Sequence, residues 1–221
     1  MEHIFLILFL IILIISISFY KEQKQKSLLR EGLTNKPDST IILIGDSILN
    51  NSNYILLEGQ SVPDLIKAEH SDTYNFAKDG AVITDCNLQI EQIPSKNNTK
   101  DTYIFVSAGG NNILNIQNNM TKEMIQTFFQ QYSTLIHSLQ SKFPNANIYL
   151  LNLYYPLDTR FKNLYPYIDQ WNSLLLDFSK TNNLKLIQTN KFMLNKEDFT
   201  NAVEPSIIGG PKIAKAILDA Y

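Results

Sequence analysis

The chain has a single cysteine, Cys86, so no intrachain disulfide can form. Histidine is nearly as scarce. His3, His70 and His137 lie far apart and in no ligand-spaced pair, which excludes a zinc-type cluster. An excess of one charge is also missing. Nineteen Lys and Arg stand against 21 Asp and Glu, for a formal net charge of -2 over 221 residues. That balance gives no sign of a nucleic-acid partner. There is no internal repeat, and no low-complexity segment beyond an apolar run at the start. Once roughly the first thirty residues are set aside, the rest has the length of one ordinary domain with a proper core.

The opening run, Ile4 to Tyr20, is Ile, Leu and Phe broken only by Ser16 and Ser18 before its closing tyrosine. It lies at the short end of what spans a bilayer as a helix. No Lys or Arg precedes it, whereas Lys21, Lys24, Lys26 and Arg30 follow. That charge placement favours an uncleaved anchor over a cleaved signal peptide, although Ser16-Ile17-Ser18 also fits a small-x-small cleavage site. The positive-inside rule puts the Lys-rich flank, and the domain behind it, on the cytoplasmic side. Asn50, Asn97 and Asn119 each begin an Asn-x-Ser/Thr triplet, which matters only if the domain is translocated. The chain thus divides into a transmembrane anchor over 1–20, a polar linker over 21–39 and a domain over 40–221.

Within that domain, short apolar runs alternate with helical patterns. Strands are predicted at Ile41–Ile44, Thr73–Phe76, Thr102–Ser107, Asn147–Leu153 and Leu184–Gln188. Helices are predicted over Pro63–Glu69, from about Ala81, over Thr121–Ser141 and Tyr167–Lys180, and from Ser206 or Gly209 to Asp219. In the longest, Met124, Phe128, Tyr132, Leu135 and Leu139 recur at helical spacing and mark an inward face. Strand–helix alternation with spacers of this length implies an α/β fold with a parallel sheet and helices on both faces.

Three strand ends carry unusual residues. The first strand, Thr-Ile-Ile-Leu-Ile, runs into Gly45-Asp46-Ser47. The second leads to Gly80. The third ends in Gly109-Gly110-Asn111-Asn112. In open α/β sheets, ligands bind at the carboxyl ends of strands. Acyl transfer by serine needs a nucleophile and donors aimed at the developing oxyanion. The Ser47 N–H, the Gly80 N–H and the Asn111 side-chain amide would make such a trio. Each also has a plainer reading: Asp46 and Ser47 as helix caps, Gly80 as a turn residue, Asn111 as a loop or cap.

With these blocks in order, the sequence resembles the SGNH (GDSL-type) hydrolase family over nearly all of Thr40 to Tyr221. The matching stretches are Ile44-Gly45-Asp46-Ser47-Ile48-Leu49, Asn75 to Ala81, Val106 to Asn112, and Asp198 to Ala214. The resemblance implies a flavodoxin-like three-layer α/β/α sandwich with about five parallel strands. It implies Ser47 as nucleophile and Ser47, Gly80 and Asn111 as oxyanion hole. It also implies substrates that are esters of lipids, acylated sugars or small acids, with no metal or organic cofactor.

The last block departs from the family pattern. Where Asp-x-x-His precedes Pro-Ser, this chain reads Asn201-Ala202-Val203-Glu204, similar to a bacterial subgroup with Ile-Glu-Pro-Ser. Neither His70 nor His137 is placed to substitute for the missing imidazole. Without a histidine, an aspartate beside Glu204 would repel it, and Asn201 could instead donate a hydrogen bond to the Glu204 carboxylate. A carboxylate is a weaker base than imidazole unless burial raises its pKa, and Val203, Pro205 and Ile207 are apolar neighbours that would do so. Glu204 therefore reads either as the general base of a Ser-Glu dyad or as a polar ligand contact or structural acceptor. Asp46 reads as a brace, Asp198 as a structural or surface carboxylate, and Tyr154 and Tyr155 as wall. Three functions stay open: an ester hydrolase acting through Ser47, Gly80, Asn111 and Glu204; a pseudoenzyme binding a carbohydrate, lipid or acyl ligand; and an anchored scaffold for protein contacts.

Overall fold

Ile41, Ile42, Leu43 and Ile44 are all fully buried. Unbroken apolar runs of this kind suit a strand covered on both faces, and branched side chains pack well on a pleated surface. They form the heart of β1 (Thr40–Gly45). The other parallel strands are β2 (Thr73–Asn75), β3 (Thr102–Ser107), β4 (Asn147–Leu151) and β5 (Lys185–Ile187). Their order across the sheet is β2-β1-β3-β4-β5, with every neighbour parallel. This computed structural model describes residues 39–116 and 119–221. The expected anchor over 1–20 and all but the last residue of the 21–39 linker lie outside the described residues. Among the described residues no helix is long and apolar enough to cross a membrane.

Among the described residues, six α-helices accompany the sheet: α1 (Val62–Glu69), α2 (Asp85–Gln92), α3 (Gly110–Ile116), α4 (Lys122–Lys142), α5 (Tyr165–Thr181) and α6 (Gly209–Leu218). α1 packs on α6, α4 packs on α5, and α2 lies against β1. The starts of α1 and α4 follow local rules. Ser61 and Thr121 accept hydrogen bonds from Asp64 N and Met124 N, satisfying free N–H groups of the first turn. The inward face of α4 buries Ile125, Tyr132, Leu135, Ile136 and Leu139, while Met124 and Phe128 are half-buried at its edge. Trp171 of α5 is fully buried.

Three elements differ from the sequence expectation. The helix predicted from about Ala81 begins at Asp85. The intervening turn is held from another loop: Asn111 Nδ2 donates to Ala81 O at 2.9 Å and Ile83 N donates to Asn112 Oδ1 at 3.1 Å. The Gly110–Asn112 stretch, expected as loop, is the first turn of α3, docked by the buried Ile113. The Asp198–Ser206 block contains an antiparallel hairpin, β6 (Phe199–Thr200) and β7 (Glu204–Pro205).

β1 outruns β2, because pairing with β2 stops at Leu43 opposite Asn75, whereas β3 stays paired to Gly45 opposite Ser107. The exposed ladder edge of Gly45 is covered by a side chain. Gly45 N donates to Gln89 Oε1 at 2.7 Å, and Gln89 Nε2 donates to Gly45 O at 2.9 Å, both buried. Gln89→Leu keeps a side chain of similar size at this position of α2 but strands the buried N–H and C=O of Gly45. We expect a loss of about 1–3 kcal/mol in urea unfolding, without change of fold by circular dichroism.

Candidate active site

The site begins with a close approach of two backbones. Gly45 has φ +135°, and a Cβ built on it would lie 1.7 Å from Ser107 O. Only glycine allows β1 to end so near β3. Asp46 N then donates to Ser107 O at 3.1 Å, and Asp46 O accepts from Leu49 N and Asn50 N at 3.1 and 3.0 Å. These bonds close a turn that carries Ser47. No helix starts there, since α1 begins only at Val62, so Asp46 and Ser47 cap no helix. Asp46 is a brace: its Oδ1 accepts from Ser107 Oγ at 2.9 Å and from Ile48 N at 3.1 Å. Asn50 Nδ2 ties the same turn to Ala77 O, beyond β2, at 2.9 Å.

β1 and β3 flank the point where the chain changes direction across the sheet, which is where open α/β sheets form crevices. A pocket of about 470 Å³, counting the space open to solvent at its mouth, lies there. Ser47, Asn111 and Glu204 all line it, with Asp46 beside them and walls that include Ile113, Leu114, Leu153, Tyr154, Ile168 and Val203. Three of the four predicted site residues are thereby brought together. Gly80 is not among the lining residues. It sits exposed in the turn after β2, joined to Asn111 through its neighbour Ala81. That bond occupies one hydrogen of the Asn111 amide, which has two.

Glu204 projects from β7 and is buried. Burial raises its pKa above the ordinary glutamate value, the nearby Ser47 hydroxyl works against that, and the Asp79 charge adds to it. Its Oε2 is buried without a hydrogen-bond partner. Asp46 is pushed up to about 7 by burial, against the Ser107 and Ile48 hydrogen bonds, with the Glu204 charge adding to the rise. The proposed bond from Asn201 to Glu204 does not exist. Asn201, at φ 44°, and Ala202, at φ 72°, form the tip of the hairpin loop, and the Asn201 side chain is exposed.

Asp198 is structural. It is fully buried, accepts from Leu194 N and Asn195 N at 3.0 Å each, and pairs with Lys212 Nζ at 2.7 Å. Burial alone would raise its pKa, yet Lys212 and the two amides hold it below the ordinary aspartate value. Ser206 steadies the start of α6, accepting from Ile208 N and Gly209 N at 3.0 and 3.2 Å. Neither histidine reaches the site. His70 Nε2 contacts Ser39 O at 2.7 Å at the opposite end of β1, and His137 meets Gln140 on the exposed side of α4.

The sequence did not single out Gln89, Asn112 or Asn51, and it assigned Tyr154 only to the wall. Tyr154 Oη donates to Val203 O and Asn51 Nδ2 donates to Pro205 O. The signal available was weak: an asparagine shortly after the Gly-Asp-Ser turn, and a tyrosine just past an apolar strand.

The fold and pocket together are those of an α/β protein built for a ligand at the ends of β1 and β3. The profile of the GDSL-like lipase/acylhydrolase family matches residues 41–210, and the chain belongs to that family. No curated protein sequence matches the chain. Among solved structures it is similar to a lipolytic protein of the G-D-S-L family from Veillonella parvula, with a TM-score of 0.67 and 18% identity over 83% of this chain and 98% of that one. It is also similar to an acetyl xylan esterase variant from Geobacillus stearothermophilus, with a TM-score of 0.61 and 18% identity over 82% and 94%. An extracellular lipase from Streptomyces rimosus aligns with a TM-score of 0.62 and 16% identity over 82% and 99%.

The raised pKa of Asp46 has a consequence for stability. The folded state holds the Asp46 proton up to about pH 7, whereas an unfolded aspartate releases it near 3.9. Between those values the folded state binds more protons, so its advantage falls as pH rises. Asp46→Asn keeps acceptors for Ser107 and Ile48 and cannot ionise. The variant is expected to match the wild type in unfolding free energy at pH 4 and to exceed it at pH 8 by an amount on the order of a few kcal/mol, read from urea denaturation at each pH.

Proposed function

We propose that this protein hydrolyses an ester bond through an acyl-Ser47 intermediate, with Glu204 as general base. The observation that carries the reading is the pocket at the ends of β1 and β3, whose lining brings Ser47 and the buried Glu204 together, near enough for the Ser47 hydroxyl to lower the pKa of the carboxylate. As Ser47 Oγ attacks the ester carbonyl, its proton passes to Glu204. The negative charge moves to the carbonyl oxygen, where the Ser47 N–H and the second hydrogen of the Asn111 amide act as donors. Collapse of this intermediate expels the alcohol, which takes the proton back from Glu204. A water then gives a proton to Glu204 and attacks the acyl-enzyme, and Glu204 returns that proton to the departing Ser47 Oγ, which frees the acid and restores the site.

Glu204 must be ionised to accept the proton, and burial raises its pKa. Activity is therefore lost as pH falls through that raised value, along a limb above the usual glutamate figure of about 4.3. The substrate is a small-molecule, carbohydrate or lipid ester. The pocket walls are mainly apolar, which suits an uncharged acyl group. In this reading the 4–20 segment anchors the enzyme in a membrane with the domain on the cytoplasmic side, and the Glu-Pro-Ser block marks a subgroup that uses a carboxylate base.

The test treats the full-length chain, in detergent, with a fluorophosphonate probe and short p-nitrophenyl esters. Wild type should label and turn over, and Ser47→Ala should do neither. Glu204→Gln should lower kcat by about 10²–10⁴-fold with the melting temperature preserved. Ligand-induced thermal stabilisation without labelling or turnover would identify a binding module instead. For the anchor, the chain should resist alkaline carbonate and yield to detergent. A glycosidase-sensitive mobility shift would reverse the assigned side.

A further inference from the structure

The carbonyls on either side of Glu204 are both held by buried side chains from other parts of the sheet. Tyr154 Oη donates to Val203 O at 2.8 Å, and Asn51 Nδ2 donates to Pro205 O at 2.9 Å. Tyr154 comes from the loop after β4. Its ring meets Phe199, on the facing strand of the hairpin, edge-on with centroids 5.2 Å apart. Asn51 comes from the loop after β1 that begins at Ser47. It is fully buried, and its Oδ1 accepts from Val62 N at 2.7 Å. Asn51 thus joins the Ser47 loop, the start of α1 and the Glu204 strand.

These bonds supply what the hairpin lacks by itself. Its strands are two residues each, too short to stay paired without outside support. In a serine–histidine site, an aspartate fixes the orientation of the base. Here the residue at the corresponding place, Asn201, faces solvent, and Glu204 Oε2 has no partner. Among the described residues, the nearby Ser47 hydroxyl is the one side-chain group that favours the charged Glu204 carboxylate. Orientation has to come through the main chain.

We infer that Tyr154 and Asn51 are positioning residues that aim the Glu204 carboxylate at Ser47 by gripping the carbonyls of its two neighbours, in place of an orienting aspartate. The inference rests on Glu204 being the base of the dyad proposed above. Tyr154→Phe is the decisive variant, because it keeps the ring against Phe199 and removes only the hydroxyl. Asn51→Asp is the companion: it keeps the acceptor for Val62 N and loses the donor to Pro205 O.

The experiment measures kcat and KM on a short p-nitrophenyl ester, and the rate of fluorophosphonate labelling of Ser47, for the full-length chain. The set is wild type, Tyr154→Phe, Asn51→Asp, Glu204→Gln and the Tyr154→Phe/Glu204→Gln double variant. Tyr154→Phe should lower kcat roughly ten- to hundredfold with KM unchanged. It should have no further effect in the Glu204→Gln background, since a residue acting only through Glu204 has nothing left to act on. Asn51→Asp, where it melts cooperatively, should show the same loss of kcat. If Glu204→Gln reacts as fast as wild type, the base assignment fails and this inference with it. If Glu204→Gln is slow but Tyr154→Phe keeps wild-type kcat, or slows both backgrounds equally, the grip is refuted and the dyad stands.

Discussion

Everything at the site depends on how closely β1 and β3 approach where they end. Gly45 lies against the Ser107 carbonyl with no room for a side chain, and Asp46 then bonds Ser107 through both backbone and carboxylate. This contact converts the end of a buried strand into a sharp turn and holds Ser47 over the crevice. A strand that diverged earlier would release its backbone groups to water and leave the hydroxyl on a mobile loop. The Gln89 amide completes the junction from the other side by pairing with the ladder edge that β2 leaves open. A polar side chain in the core is costly unless each of its atoms is matched, and here they are.

The parallel sheet was legible because parallel strands are buried on both faces and therefore read as unbroken apolar runs. Thr102–Ser107 appears with the same limits in sequence and structure. The long helix α4 was legible from its period. What escaped is held by contacts between residues remote in sequence. α3 opens on glycine and two asparagines, poor helix formers, and exists because Ile113 docks and Asn112 bonds Ile83. The hairpin of Phe199 to Pro205 has strands too short to show a period, and its turn uses left-handed Asn201 and Ala202. For the same reason Asn201 was misread: it stands where the family pattern has an aspartate, which suggests a partner for Glu204, and only the turn shows that its side chain is exposed. Ser47, Asn111 and Glu204 were legible from motif order. Gly80 was legible as a turn but lies outside the residues that line the pocket.

A buried carboxylate is an unusual neighbour for a serine hydroxyl. Imidazole takes a proton readily near neutrality, whereas glutamate in water holds one only in acid. Burial narrows that gap by removing solvent from Glu204, and the Asp79 charge adds to the rise. Burial raises the pKa of Asp46, and the Glu204 charge adds to the cost of ionising it. Tyr54 and Tyr154 feel the Glu204 charge as well, and both phenols are driven further from ionisation. The tyrosines therefore stay neutral hydrogen-bond donors across the working range.

The grip on the hairpin uses the peptide groups of Val203 and Pro205, atoms that every amino acid supplies. Nothing in that attachment specifies the side chain at position 204. The scaffold can accordingly exchange one proton acceptor for another by a change in a single codon, with the backbone path conserved. With Glu204 as the proposed base, an imidazole placed at this position would ride on the same backbone path and shift the working acidity range without rebuilding the core.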